Sequence, residues 1–294
     1  MPSRSEVDQF RSDLDALAAL ASTDVDTVWN ELHTSDLTDR EIRASMVETY
    51  STIVTPYVSA AGDVAAVWYE DLAPDSDYTA EPADLPSVED LESTAWRLTR
   101  DMVEVDVDDP EIDDEVDPIL AALETESQRL VYGGARDTIA DNIAAEGVRW
   151  ARYASATACA FCRLMAIRGA VYASAESAGR IPNPDDPKNP LNRFHSGCRC
   201  VTVPLREDDE WQPPGYMAAW EAEYEEASRH GRSNVLPLMR TLDREGGAKL
   251  DADERVAAIK AAVEERDAKK RGAASKPKPS KPVQVTTPED APEP

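Results

Sequence analysis

Cys159 and Cys162 stand two residues apart in "ACAFCRL", and His195, Cys198 and Cys200 follow in "FHSGCRC". These two stretches hold all four cysteines of the chain and one of its three histidines. A C-x-x-C pair on a tight turn or a helix start presents two thiolates to one ion, and H-x-x-C-x-C adds three more candidates. Zinc takes four ligands in a tetrahedron, so the spacing predicts a structural zinc site built from Cys159, Cys162, His195 and Cys198 or Cys200, with one of the five outside the coordination. Small buried thiols with a hydrogen-bonded histidine are the simpler alternative. A thioredoxin-like redox pair lacks its flanking βαβ pattern. A cysteine nucleophile with His195 as base is the catalytic alternative, but no third orienting residue can be picked out, and no G-x-S-x-G, H-E-x-x-H, P-loop or dinucleotide fingerprint is present. His33 and His230 have no partners at ligand spacing and read as polar surface residues.

The elements that must position these side chains are mostly helical. Residues 5–20 carry Val7, Phe10, Leu14, Leu17 and Ala18 at helical spacing, and Asp24 is placed to cap a second helix with Val25, Val28, Trp29 and Leu32. An apolar stripe from Ile42 to Trp68 predicts a long helix or a helical pair, with Pro56 as a kink or break. Residues 73–87 read as a Pro-rich loop, and Ser87 as the cap of a helix to about Val103. Ten acids fall in 101–117 without a Lys or Arg. The stretch lacks the sharp-turn Gly of an EF-hand and carries Pro110, which favours a solvated connection over a calcium loop. Helices are expected over 118–131 and 135–152, joined by a turn at Tyr132–Gly133–Gly134, the second bearing Ile139, Ile143, Val148 and Trp150 with an interruption at Gly147. "VTVPL", directly after Cys200, is β-prone and carries the last ligand into a strand. One or two helices follow from Trp211 to about Met239, and a polar, marginal one at 251–270. The gap at 163–194 contains "IPNPDDPKNP" and has too few apolar side chains to hold itself together, so metal binding would supply its folding energy, on the order of 10 kcal/mol.

With 294 residues, 41% of them hydrophobic and 6% aromatic, the chain can build a core, and its alanine content suits close-packed helices. The expected fold is mainly α. It comprises a helical N-terminal region (1–131), a small α+β Cys/His-knotted module (132–206), C-terminal helices (207–248) and a marginal helix leading to a disordered tail (249–294). A net charge of −27, from 58 acidic and 31 basic residues, repels nucleic-acid phosphates and anionic lipid from the body. Lys269, Lys270, Arg271, Lys276, Lys278 and Lys281 form the exception, a basic stretch suited to a transient contact with DNA or an acidic partner. The N-terminal residues show no basic head before an uninterrupted apolar run, so neither a signal peptide nor a membrane span is expected. A reducing compartment follows, where clustered cysteines are metal ligands or catalytic rather than disulfides.

"RDTIADNIAAEGVRWARYASA", "ACAFCRLMAIRGAVYAS" and "FHSGCRCVTVP" together resemble the C-terminal motif region of the phage Mu F-like minor head proteins, in the forms carried by tailed phages of actinobacteria. The resemblance is best over 135–205, and looser in the helix containing "VSAAGDVAAVWYEDL". It carries over Cys159, Cys162, His195, Cys198 and Cys200, with Arg168, Gly169 and Tyr172 as scaffold. Family members commonly have Pro after the first cysteine and Asn or Asp after the histidine; Ala160 and Ser196 stand there in this chain. The resemblance implies a minor capsid protein, near the portal inside the procapsid and virion and in the host cytoplasm during assembly, with portal, major capsid and scaffold proteins as partners. Related proteins are often described as capsid maturation proteases, which is the rival enzymatic reading. A zinc-stabilised regulator is a third.

Overall fold

Ser3 opens the first helix through a capping box, its hydroxyl accepting from the Glu6 amide at 3.3 Å while Glu6 accepts from the Ser3 amide at 2.6 Å. The computed structural model describes residues 2–100, 117–169, 180–181, 191–192, 198–207, 209–244 and 250–274. Among them are eight helices: α1 Arg4–His33, α2 Asp39–Asp71, α3 Val88–Leu98, α4 Pro118–Glu146, α5 Ala160–Ala166, α6 Met217–Arg229, α7 Val235–Arg244 and α8 Ala252–Ala274. Strands β1 Arg149–Tyr153 and β4 Val201–Leu205 pair antiparallel, with Ala151 opposite Val203, and the short β2 Arg180–Ile181 and β3 Leu191–Asn192 pair antiparallel within the gap between the cysteine motifs. The mainly α fold with a small β component is as expected. The tail from 275 onward and the acidic run at 101–116 lie outside the described residues.

Helices α1, α2 and α4 pack together into the main core. Two local expectations are corrected there, and the choice between a long helix and a helical pair is decided for the long helix. The two N-terminal helices are one: Asp24 sits mid-helix and accepts from the Tyr57 hydroxyl, while Thr23 and Thr27 donate to the carbonyls of Ala19 and Thr23, so these polar side chains are satisfied without ending the helix. Pro56 does not end α2. Its cost of about 3 kcal/mol is outweighed by the buried stripe Met46, Tyr50, Val54, Val58, Ala61, Ala65 and Tyr69 on either side. Nor do Tyr132–Gly133–Gly134 form a turn. They lie inside α4, where a Cβ on Gly134 would stand 2.8 Å from the Val58 carbonyl oxygen, so this glycine lets α4 approach α2 rather than breaking the helix.

The stop in this region is Gly147, at φ 75° in the left-handed conformation, its amide donating to the Ile143 carbonyl. Trp150 therefore belongs to β1 and not to the preceding helix. Trp150, Tyr153, Val201 and Val203 pack from the β1–β4 sheet onto the α1–α2–α4 core. The acidic run ends usefully: Asp117 caps α4, accepting from the amides of Ile119 and Leu120, and accepts from Trp29 Nε1 at 2.9 Å. The loop at 73–87 is held to α4 by Asn142 and Thr138, which accept from the Glu81 and Ala83 amides. Beyond β4, α8 has a buried face after all. Ile259, Val263 and Arg255 pack it against α6 and α7, which makes it a structural part of the fold rather than a marginal helix.

Candidate metal centre

Cys159 is the residue before the first turn of α5, and Cys162 lies within that turn. The Cys159 side chain makes no capping bond; Asp243 from α7 takes that role, its Oδ2 accepting from the Ala160 amide at 2.7 Å. Cys198 and Cys200 arrive on the segment that leads into β4, as the strand propensity of "VTVPL" indicated. The two motifs meet: the sulfurs of Cys162, Cys198 and Cys200 all lie within 4.8 Å of one another, and Cys162 Sγ is 3.4 Å from Cys198 Sγ. All four cysteines are free thiols. Cys159 is half-buried against this trio and within hydrogen-bonding reach of Cys162. His195 and Tyr172 lie outside the described residues, and Arg168 is exposed. Gly169, at φ 64°, is required, since a Cβ there would meet the Trp211 ring at 3.2 Å.

Ala154, Ala166, Met217 and Trp220 enclose the thiols, which are only 2% (Cys162), 3% (Cys198) and 2% (Cys200) exposed. Their mutual hydrogen bonds set an order of ionisation. Cys162 is pushed far up by its side-chain contacts with Cys159, Cys198 and Cys200, and burial adds to this. Cys198 is pulled far down by accepting from Cys162 and Cys200, with help from the positive charge of Arg136. Cys200 accepts from Cys162, which lowers it, but its bond to Cys198 and its burial push it up to about 12. Three converging soft donors in a small apolar chamber suit a thiophilic cation such as zinc far better than a hard one.

An ion network fixes α5 from the opposite side. Arg163, next to Cys162, is bidentate to the fully buried Glu223 of α6 (2.7 and 3.2 Å) and pairs with Asp243 at 2.6 Å. Arg255 of α8 donates to the same Glu223 at 2.7 Å. Glu223 therefore sits between two buried guanidinium groups, an arrangement in which each ion is paired and hydrogen-bonded.

Residues 1–227 match a family of phage proteins described as VG15 protein. The chain belongs to the VG15 protein family. No curated protein and no solved structure matches it. The VG15 match takes in all four cysteines, Arg163 and Glu223, while Asp243 and Arg255 lie beyond it. Sequence reasoning on this VG15 chain missed Arg136, Arg152, Arg163 and Glu223. The available signal was an arginine on an apolar stripe: Arg136 shares a helix face with Tyr132, Ile139 and Ile143, and Arg163 interrupts an otherwise apolar run. The remaining histidines bond locally, His33 Nδ1 to the Trp29 carbonyl at 2.9 Å and His230 Nε2 to Glu226 at 3.4 Å. Among the described residues, no helix is long and apolar enough to cross a membrane.

Proposed function

We propose that this phage protein is a minor capsid protein acting in head assembly or DNA delivery, held by portal, major capsid or scaffold protein, with a structural zinc ion knotting its cysteine module. The observation that carries the reading is the burial of Cys162, Cys198 and Cys200 behind Met217 and Trp220. A nucleophilic thiol must reach a substrate carbonyl, whereas these sulfurs face one another in a closed apolar chamber, as ligands of a structural ion do. Family membership and the Mu F-like pattern of the two motifs support a place in the phage head near the portal.

The metal, when bound, would cross-link α5 to the segment before β4. Cys162, Cys198 and Cys200 would hold it, and Arg136, Met217 and Trp220 would orient the donors and exclude water. The basic stretch at 269–281 is proposed to touch DNA or an acidic partner transiently; its described part ends α8, where Lys269 pairs with Glu265 at 2.6 Å. The test has two arms. Purified protein should contain one zinc per chain, and Cys162→Ser should lose it and expose the 153–206 segment to protease while the N-terminal helices keep their circular dichroism. In phage lacking the gene, heads should fail to form or to deliver DNA, and a Cys162→Ser copy should reproduce that failure with coat and scaffold processing unchanged. A folded, protease-resistant Cys→Ser variant that leaves capsid proteins uncleaved would establish the protease instead.

A further inference from the structure

Helix α2 has more apolar surface than its neighbours cover. Ala61, Ala65 and Tyr69 are buried in the main core, but Val64, Val67 and Trp68 recur beside them at helical spacing and form a second apolar flank. Val67 is 60% exposed, the most open of the large hydrophobic side chains among the described residues. With α1 and Leu72, this flank borders a groove of about 470 Å3. Its aromatic wall is set in place: Trp68 is only partly buried, yet it lies flat on the core residue Phe10, with ring centroids 4.3 Å apart and planes 6° from parallel.

The charge of the groove has one sign. Glu6 and Asp13 of α1 and Asp63 and Asp71 of α2 line it, and no Lys, Arg or His does. Glu6 is engaged in capping α1 and Asp13 accepts from Gln9, whereas Asp63 and Asp71 have no ion-pair partner among the described residues. Asp71 is the last residue of α2, whose final turn has no basic side chain, so the negative end of the helix dipole adds to the carboxylates. Asp63, Val67 and Asp71 are all exposed and follow one another at intervals of four, which stands an apolar anchor between two carboxylates along one line of the helix.

An apolar groove with an acidic rim selects its occupant. Nucleic acid and anionic lipid are repelled, and a second copy of this chain, with 58 acidic against 31 basic residues, is a poor match. An uncharged segment would desolvate the carboxylates without pairing them. A cleft between two helices offers no backbone edge to an incoming strand, but takes a third helix. We propose that the α1–α2 groove docks a basic amphipathic helix of a partner protein, its apolar side chains against Val67 and Trp68 and its Lys or Arg side chains paired with Asp63 and Asp71. The proposal deepens the reading of the protein as one held by portal, major capsid or scaffold protein, and rests on it.

The full-length protein is tested by biolayer interferometry against the purified portal, major capsid and scaffold proteins of the same phage, with hydrogen exchange locating the segments that become protected. One of them should bind through a Lys- or Arg-bearing helix, with protection of residues 6–13 and 63–71 in this chain. Asp63→Lys/Asp71→Lys should weaken that binding by about tenfold or more, mainly through slower association, and flatten its salt dependence. Val67→Asp should weaken it by about tenfold through faster dissociation. All three positions are exposed, so both variants should keep the wild-type circular dichroism and unfolding midpoint. Binding that survives both variants unchanged would place the dock elsewhere, overturning the groove while leaving the head-protein reading intact. Binding weakened by Val67→Asp but indifferent to the charge reversal would overturn the basic character of the occupant. A concentration-dependent dimer that dissociates in Val67→Asp would assign the groove to a second copy and overturn the partner helix. Binding to none of the three head proteins would overturn both readings.

Discussion

Replacing Glu223 by glutamine changes one oxygen to nitrogen and almost no volume, but it removes the anion shared by Arg163 and Arg255. Three charge-assisted contacts, at 2.7 and 3.2 Å from Arg163 and 2.7 Å from Arg255, lose their ionic partner inside a site where Glu223 is 0% exposed. Breaking a buried pair from one side costs ~3–5 kcal/mol, mostly because the remaining charge is stranded. Arg163 keeps Asp243 and Arg255 keeps the Leu250 carbonyl, which places the expected loss near the lower end, ~3 kcal/mol, or about a hundredfold in the opening equilibrium of α6–α8. The assay is denaturant unfolding of the full chain, followed by limited proteolysis within 217–274 to locate the opening. On the proposed zinc reading, since Arg163 adjoins Cys162, the variant should also release zinc faster. A loss below ~1 kcal/mol would refute the account of Glu223 as the anion that holds the C-terminal helices to α5. The companion variant, with Arg163, Glu223 and Arg255 all replaced by apolar residues of similar volume, should lose less stability than Glu223→Gln, because the one ion left without its partner, Asp243, is part-exposed and still accepts from the Ala160 amide.

Gly133 and Gly134 should respond oppositely to alanine. Gly133→Ala meets nothing within 4 Å and should gain up to ~1 kcal/mol of helix propensity, whereas Gly134→Ala drives a Cβ against Val58 and should lose ~1–2 kcal/mol net, both read as shifts in the unfolding midpoint. The hydroxyls of Tyr50, Tyr69 and Tyr132 are held above the ordinary tyrosine range, chiefly by burial. Above pH ~10 the unfolded chain gives up these protons and the folded one does not. Their stabilising contribution is therefore complete below that pH and is lost as the pH rises through the folded values, so thermal unfolding should fall steeply above pH ~10. Tyr50→Phe should shallow the fall.

The convergence of the two cysteine motifs was legible because metal-ligand spacing is a local pattern, and the β-prone "VTVPL" named the strand that carries Cys200 inward. Ser87 as a helix cap was legible for the same reason. The merging of the first two helices was not: Asp24 has the chemistry of a cap, and only the Tyr57 hydroxyl, 33 residues away, shows that it is satisfied mid-helix. Gly134 carries the letter of a turn residue but serves a close approach between helices, a distinction held by Val58 and not by its own neighbours. The charged partners of the cysteine helix were equally out of reach, since Arg163 meets Glu223 and Asp243, and Glu223 meets Arg255, across long stretches of chain, and nothing in local spacing announces a buried ion pair.

The covering of the cysteine helix by α6–α8 also has a consequence in time. Synthesis runs from the N-terminus at ~5–20 residues per second, so Cys159 and Cys162 leave the ribosome on the order of ten seconds before α8, which supplies Arg255, exists. Until α6 docks, the thiols of a nascent chain lack the cover of Met217 and Trp220 and are open to a metal donor or an oxidant, and the buried ion network with Arg255 locks that cover only once α8 has docked. On the proposed zinc reading, the C-terminal helices would thus be the door through which the ion enters, shut once per molecule.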